Sequence, residues 1–285
     1  SIVRSTFYKY QKEHPLGQCR SLGEGSYGRR VILTGFGLFS NNSYNISGTV
    51  VRSMASPSFW PIPSAVAISG LVESTNNGAQ VFNRSLEIDG SYYDICFMVL
   101  DVIWDLAGAL VLYEANNFKP ELVMMMGRGE LNTATFESGA LNYADNLSGY
   151  SSNGAKHPDN VPHKPWIIEE YPLGYELNMV WDNARLAQSN QSLIEALGYR
   201  VSAPIHGRRQ NDYICNNLSF VVLHGIKHPV TQLAGKSLPI VTSGLAKTQV
   251  GFFHLPAVDV LHHNLNDYSQ GVFGWANVVA STIKQ

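Results

Sequence analysis

The sequence predicts an α/β protein, and three observations carry that reading. Short apolar runs with the character of buried strands recur along the chain: RRVILTGFGLF from Arg29, Ile95 to Val102, Glu121 to Met126, and VGFFHLP from Val250 to Pro256. Between two of them, Asp105 to Asn117 carries Leu106, Leu110, Val111 and Leu112 at helical spacing. Strand, helix and strand in that order make a βαβ unit, which calls for parallel pairing with helices packed on the sheet.

The remaining elements follow in chain order. Residues 1 to 29 are polar, Gly-rich and aperiodic and read as an N-terminal extension, with a single catalytic domain spanning 30 to 285. Gly48 to Met54 suits a short helix, and Pro57, Pro61 and Pro63 forbid its continuation. Ser64 to Ser91 reads as a hairpin insertion, because Asn76-Asn77-Gly78 and Asp89-Gly90 are turn signals. Small and apolar residues alternate from Glu137 to Asp145, and Ser148 to Pro165 is a long polar loop of the kind that often carries function. Leu193, Ile194 and Leu197 before Gly198 mark a helix end, and a strand follows from Tyr199 to Pro204. In NDYICNNLSFVVLHG, Ile214, Leu218, Val221 and Val222 form one helical face, with Asp212 as cap and Gly225 as terminator. Val272, Trp275, Ala276, Val279 and Ile283 form the apolar stripe of a closing helix.

Composition excludes several function classes. The 285 residues are 45% hydrophobic and 11% aromatic, the balance of a globular chain. With 20 basic against 22 acidic residues and no Lys/Arg-rich run, nucleic acid is not an expected partner. The longest apolar runs fall short of the roughly 18 residues that cross a bilayer, so a soluble protein is expected. Three cysteines, Cys19, Cys96 and Cys215, cannot build a disulfide scaffold, and whether Cys19 pairs with Cys96 stays open. Neither HExxH nor paired-cysteine spacing occurs, so no metal or other cofactor is expected. GEGSYG, from Gly23 to Gly28, satisfies GxGxxG but precedes its strand instead of following it, and is no dinucleotide site.

Chemistry concentrates on Cys215, in the first turn of its helix. A thiol attacks as thiolate, and unpaired N–H groups at a helix start favour that form. Cys96, in mid-strand, reads as a small buried hydrophobe. His254 ends a strand, where the ligands of open α/β sheets gather. His224 and His228 look like surface residues at a helix end.

Four blocks in one order, GFGLFSNNSYNIS (Gly35 to Ser47), GRGELNTATFESGALNYAD (Gly127 to Asp145), NDYICNN around Cys215 and GFFHLP around His254, resemble the pyroglutamyl peptidase I family of cysteine peptidases. Phe36, Phe39, Asn45 and Ser47 occupy the family's Gly-Phe-x-x-Phe turn and the Asn-x-Ser after it. Glu137, Asn142 and Asp145 reproduce the spacing around its catalytic glutamate, and Pro158-Asp159-Asn160 resembles a later Pro-Asp-Asn. The chain departs from the pattern in MMMGRG (Met124 to Gly129), which keeps Arg128 and lacks a glutamine, and at Tyr213, where the family usually has Phe.

The resemblance implies a single-domain, three-layer α/β/α sandwich with a twisted, largely parallel sheet. It also implies Cys215 as nucleophile, His254 as its base and Glu137 as the carboxylate steadying the histidine. Phe36, Phe39, Tyr213, Ile214 and Arg128 are the expected substrate-binding residues, and peptides beginning with pyroglutamate (5-oxoproline) the expected substrates. A homo-oligomer in the cytoplasm is implied as well, although a charged fraction of 15% is more usual in exported chains. Two other readings stay open: hydrolysis of a different N-acyl amide, and a catalytically silent binding protein on the same scaffold.

Overall fold

The computed structural model describes residues 2–22, 28–39, 45–61, 77–144, 166–204, 213–233, 235–257 and 265–285. In chain order the elements are α1 (Ile2–Glu13), β1 (Arg29–Phe36), α2 (Ile46–Ala55), β2 (Ala79–Ile88), β3 (Ser91–Leu100), α3 (Leu106–Phe118), β4 (Leu122–Arg128), β5 (Thr133–Phe136), β6 (Gly139–Leu141) and β7 (Glu176–Asn178). They continue with α4 (Asn183–Ala196), β8 (Arg200–Ser202), α5 (Ile214–Lys227), β9 (Val230–Leu233), β10 (Leu238–Val241), β11 (Gln249–Leu255) and α6 (Leu265–Ile283).

Seven strands form the central sheet in the order β2-β3-β1-β4-β11-β5-β8. Strands β3, β1, β4 and β11 are parallel neighbours, while β2 and β5 run antiparallel to β3 and β11. Successive side chains of the parallel strands point to opposite faces. Ile32, Met98, Val123 and Phe252 join one apolar core with α1, α3 and α5, whereas Val31, Phe97, Met124 and Phe253 join another with α2, α4 and α6. Burial on both faces is why these strands read as unbroken apolar runs. The three-layer α/β/α architecture with a largely parallel sheet is therefore as expected.

Three local expectations are corrected. The stretch before Arg29 is not aperiodic: α1 buries Val3, Phe7 and Tyr10 at i, i+4 and i+7. Those three positions sit among polar residues, and Phe7 and Tyr10 meet Tyr113 of α3, beyond the reach of a local pattern. Cys96 is not a lone buried thiol, since it forms a disulfide with Cys19 across 77 residues of chain. The hairpin turning at Asp89-Gly90 is not an insertion, because its second strand, β3, runs into the middle of the sheet and β2 becomes the sheet edge. Both turn residues have positive φ, as a two-residue hairpin loop of type I′ requires.

Helix α5 also departs from expectation. It passes through Gly225 to Lys227, because that glycine serves packing: a Cβ there would fall 2.4 Å from the Leu112 side chain of α3. His224 is buried instead of exposed, with Nδ1 2.8 Å from Thr231 Oγ1 and its ring stacked on His228. Burial first, and then the neighbouring His228, push its pKa down to about 4 against the opposing charge of Glu170, so the ring is neutral at physiological pH. The expected cap Asp212 lies outside the described residues, and Tyr213 occupies the cap position with no side-chain cap bond.

Candidate active site

The parallel strands end together at Phe36, Leu100, Arg128 and Leu255, and the first turn of α5 stands over this edge. Cys215 is the second residue of that helix and is 7% exposed. The two residues after it hold the helix start in place. Asn216 accepts from Leu141 N and donates to Leu141 O and Tyr143 O, all at 2.9 Å, so its amide behaves like a strand partner for β6. Asn217 accepts from Asp105 N at 2.9 Å and donates to Asp105 Oδ1 at 2.8 Å. The first turn of α5 is thus pinned between β6 and the corner that begins α3.

Gly127 explains how the thiol reaches the sheet. A Cβ at this position would stand 2.6 Å from Cys215 Sγ, so only glycine lets β4 pass beside the sulfur. Gly127 is also the register partner of His254 on β11. Across the next strand, Glu137 follows β5 directly, and its Oε1 lies 2.8 Å from His254 Nδ1. Both side chains are nearly shut off from solvent, at 12% exposure for His254 and 9% for Glu137. With Nδ1 engaged by the carboxylate, Nε2 is the ring nitrogen left for Cys215.

The electrostatics of this trio favour an imidazolium. Burial is the largest single influence on His254 and works against its charged form. The charge and hydrogen bond of Cys215, followed by the hydrogen bond and charge of Glu137, outweigh it and push the pKa up to about 10. The sign follows directly: a raised histidine pKa keeps the proton on the ring as pH climbs, until it is lost near pH 10. Glu137→Gln, which removes the charge, is expected to move the His254 titration midpoint down toward the ordinary histidine value. Ring-carbon NMR of labelled histidine would measure it, and an unmoved midpoint would rule out Glu137 as the partner.

Comparison with known proteins separates sequence from fold. No protein-family model and no curated protein matches the chain. Solved structures do match. Pyroglutamyl peptidase I from Bacillus amyloliquefaciens superposes with a TM-score of 0.54 at 15% identity, covering 89% of this chain and 97% of its own. A mutant pyrrolidone carboxyl peptidase from Pyrococcus furiosus gives 0.55 at 15% identity, over 90% and 96%. Pyrrolidone carboxyl peptidase from Thermococcus litoralis gives 0.52 at 18% identity, over 90% and 94%. The chain has the pyroglutamyl peptidase fold.

Within the pyroglutamyl peptidase fold, the residues singled out from sequence fall into distinct places. Cys215, His254 and Glu137 come together. Ile214 and Phe39 are partly buried against the apolar core that contains Cys215, and Phe36 is 2% exposed within that same core. Tyr213 is 52% exposed, and Arg128 is half-buried at the end of β4 opposite Leu255. Asn142 is fully buried: its Oδ1 accepts from Ile167 N and Ile168 N at 2.8 Å, and its Nδ2 donates to Ile168 O and Tyr171 O at 2.9 and 3.0 Å. It therefore clamps the segment from Ile167 to Tyr171, while the expected long loop from Ser148 to Pro165 lies outside the described residues. Asp145 and Pro158-Asp159-Asn160 lie outside the described residues. Sequence reasoning passed over Gly127, Asp105 and Asn217, although the first sits beside Arg128 in the GRG that drew attention to the arginine.

Proposed function

We propose that the chain is a cysteine exopeptidase that releases N-terminal 5-oxoproline from peptides. The observation that carries this reading is the Glu137–His254–Cys215 constellation, with its 2.8 Å carboxylate–imidazole bond, at the strand ends of a pyroglutamyl peptidase fold. In the reaction, the Cys215 proton resides on His254, and the thiolate attacks the carbonyl carbon of the bond after 5-oxoproline. The resulting oxyanion faces the backbone N–H groups at the start of α5. The C–N bond then breaks as the leaving amine takes the proton from His254. Water, deprotonated by His254, opens the thioester and frees the thiolate. Glu137 holds the ring in the productive tautomer and balances its charge throughout.

The substrate lactam carries no charged amine, so an apolar pocket suits it. Phe39, Ile214 and Tyr213 are the side chains offered for that pocket, with Arg128 at its edge. A second reading has its own observation: Phe36 is so deeply packed that its ring belongs to the core, which favours a related hydrolase of a different N-acyl amide. A panel of fluorogenic amides under reducing conditions decides between them. Fastest release from the 5-oxoprolyl amide is the expected result, and a faster acetyl or formyl amide would transfer the assignment to the second reading.

A further inference from the structure

A carboxylate works on a histidine only while its own backbone stays still, and Glu137 stands where β5, four residues long, has just ended. Two bonds hold its peptide groups. Its N–H donates to Phe252 O at 2.9 Å, which ties it to the strand that carries His254. Its carbonyl accepts from Trp181 Nε1 at 2.9 Å, from 44 residues further along the chain and outside all four motif blocks.

The indole is itself fixed from several sides. Its ring lies on β11 at Gly251, where a Cβ would fall 1.9 Å from Cε3, so any larger residue would lift the ring away. Phe136, the neighbour of Glu137, meets the same ring at 5.7 Å between centroids and 59° between planes. The backbone leading to it is stitched to both flanking segments, with Met179 N donating to Ser138 O at 2.8 Å and Val180 N donating to Val250 O at 2.9 Å. Directly after it, Asp182 caps α4 by accepting from Arg185 N at 3.0 Å. The direction of the indole N–H is therefore set by β11, by the chain after Glu137 and by the start of α4.

We infer that Trp181 is a positioning residue for the candidate triad: its indole N–H fixes the carbonyl end of Glu137, so that the carboxylate stays on His254 Nδ1. The inference rests on the triad reading above, and it adds a residue that touches neither thiol nor substrate. Tryptophan supplies two things here, a flat face that lies over a glycine and a donor at the edge of that face.

Trp181→Phe keeps an aromatic face over Gly251 and removes the donor. Two measurements test it: the His254 ring titration followed by NMR in the substrate-free protein, with the signal assigned by its loss in His254→Asn, and kcat and KM on the 5-oxoprolyl amide. The expected result is a midpoint clearly below the wild-type value, with kcat falling about tenfold and KM changing less than about twofold. Gly251→Ala, which displaces the indole but leaves its N–H in the chain, should move the midpoint in the same direction, and it decides the matter if Trp181→Phe does not fold. An unmoved midpoint in a folded variant overturns the inference. A moved midpoint in a protein that cleaves no amide upholds the positioning role and removes the peptidase reading instead.

Discussion

Cys215→Ala is expected to lower kcat/KM on the 5-oxoprolyl amide by about 10⁵-fold, with the thermal unfolding curve almost unchanged. The side chain is small and lies at a helix start, so its loss opens little space, while no other thiol is at hand. Among the described cysteines it is the free one, since Cys19 and Cys96 are bonded to each other. Iodoacetamide should accordingly label the native protein at Cys215, and the alanine variant should resist it. His254→Ala is expected to cost about as much as Cys215→Ala, and the double variant no more than either, because a nucleophile and its proton carrier fail as a unit. Additive losses would mean that the two side chains act separately. Retention of activity within about tenfold in Cys215→Ala would place the nucleophile elsewhere.

Glu114→Ala carries the largest expected loss of stability. This carboxylate is wholly shut off from solvent on α3, where it accepts from Tyr10 Oη at 2.6 Å, from Gln18 N at 2.9 Å and from Cys19 N at 2.8 Å. Burial, followed by the charge of Glu114, raises the Tyr10 pKa, so the phenol remains a donor. Truncation leaves that hydroxyl and two main-chain N–H groups without their acceptor, at about 1–3 kcal/mol for each group that water does not reach. A total of roughly 3–5 kcal/mol is expected, or a fall in Tm on the order of 10 °C for a chain of this size. The disulfide between Cys19 and Cys96 keeps the strap attached even then, so hydrogen exchange in α1 should accelerate before global unfolding. A Tm within about 2 °C of wild type would show that α1 and the Cys19 segment are held by the disulfide and apolar contacts alone.

Much of the candidate site was legible in the sequence because its signals are local. A cysteine one turn into an amphipathic helix, a histidine near the end of an apolar strand, and a glutamate with Asn142 and Asp145 at set distances can each be recognised from a few neighbouring residues. The same holds for α3, whose observed span of Leu106–Phe118 differs by one residue at each end from the span read from periodicity. Helix α1 was missed for a physical reason: its three buried residues are apolar only with respect to a partner helix that lies about a hundred residues away.

By itself the sequence determined the layered α/β class and the strands that the sheet would bury on both faces, and its resemblance to the pyroglutamyl peptidase I family pointed to Cys215, His254 and Glu137. Periodicity and helix-start chemistry act over a few residues, so they can be read from a few residues. Tertiary structure alone decided that Gly127 must let β4 pass the thiol, that Cys19 closes on Cys96, that Glu114 grips the N-terminal strap, and that Trp181 reaches the carbonyl of Glu137. Each of these depends on which surfaces the strand order β2-β3-β1-β4-β11-β5-β8 brings face to face. Nothing within a few residues of either partner encodes that meeting, because its energy exists only once distant segments have packed together.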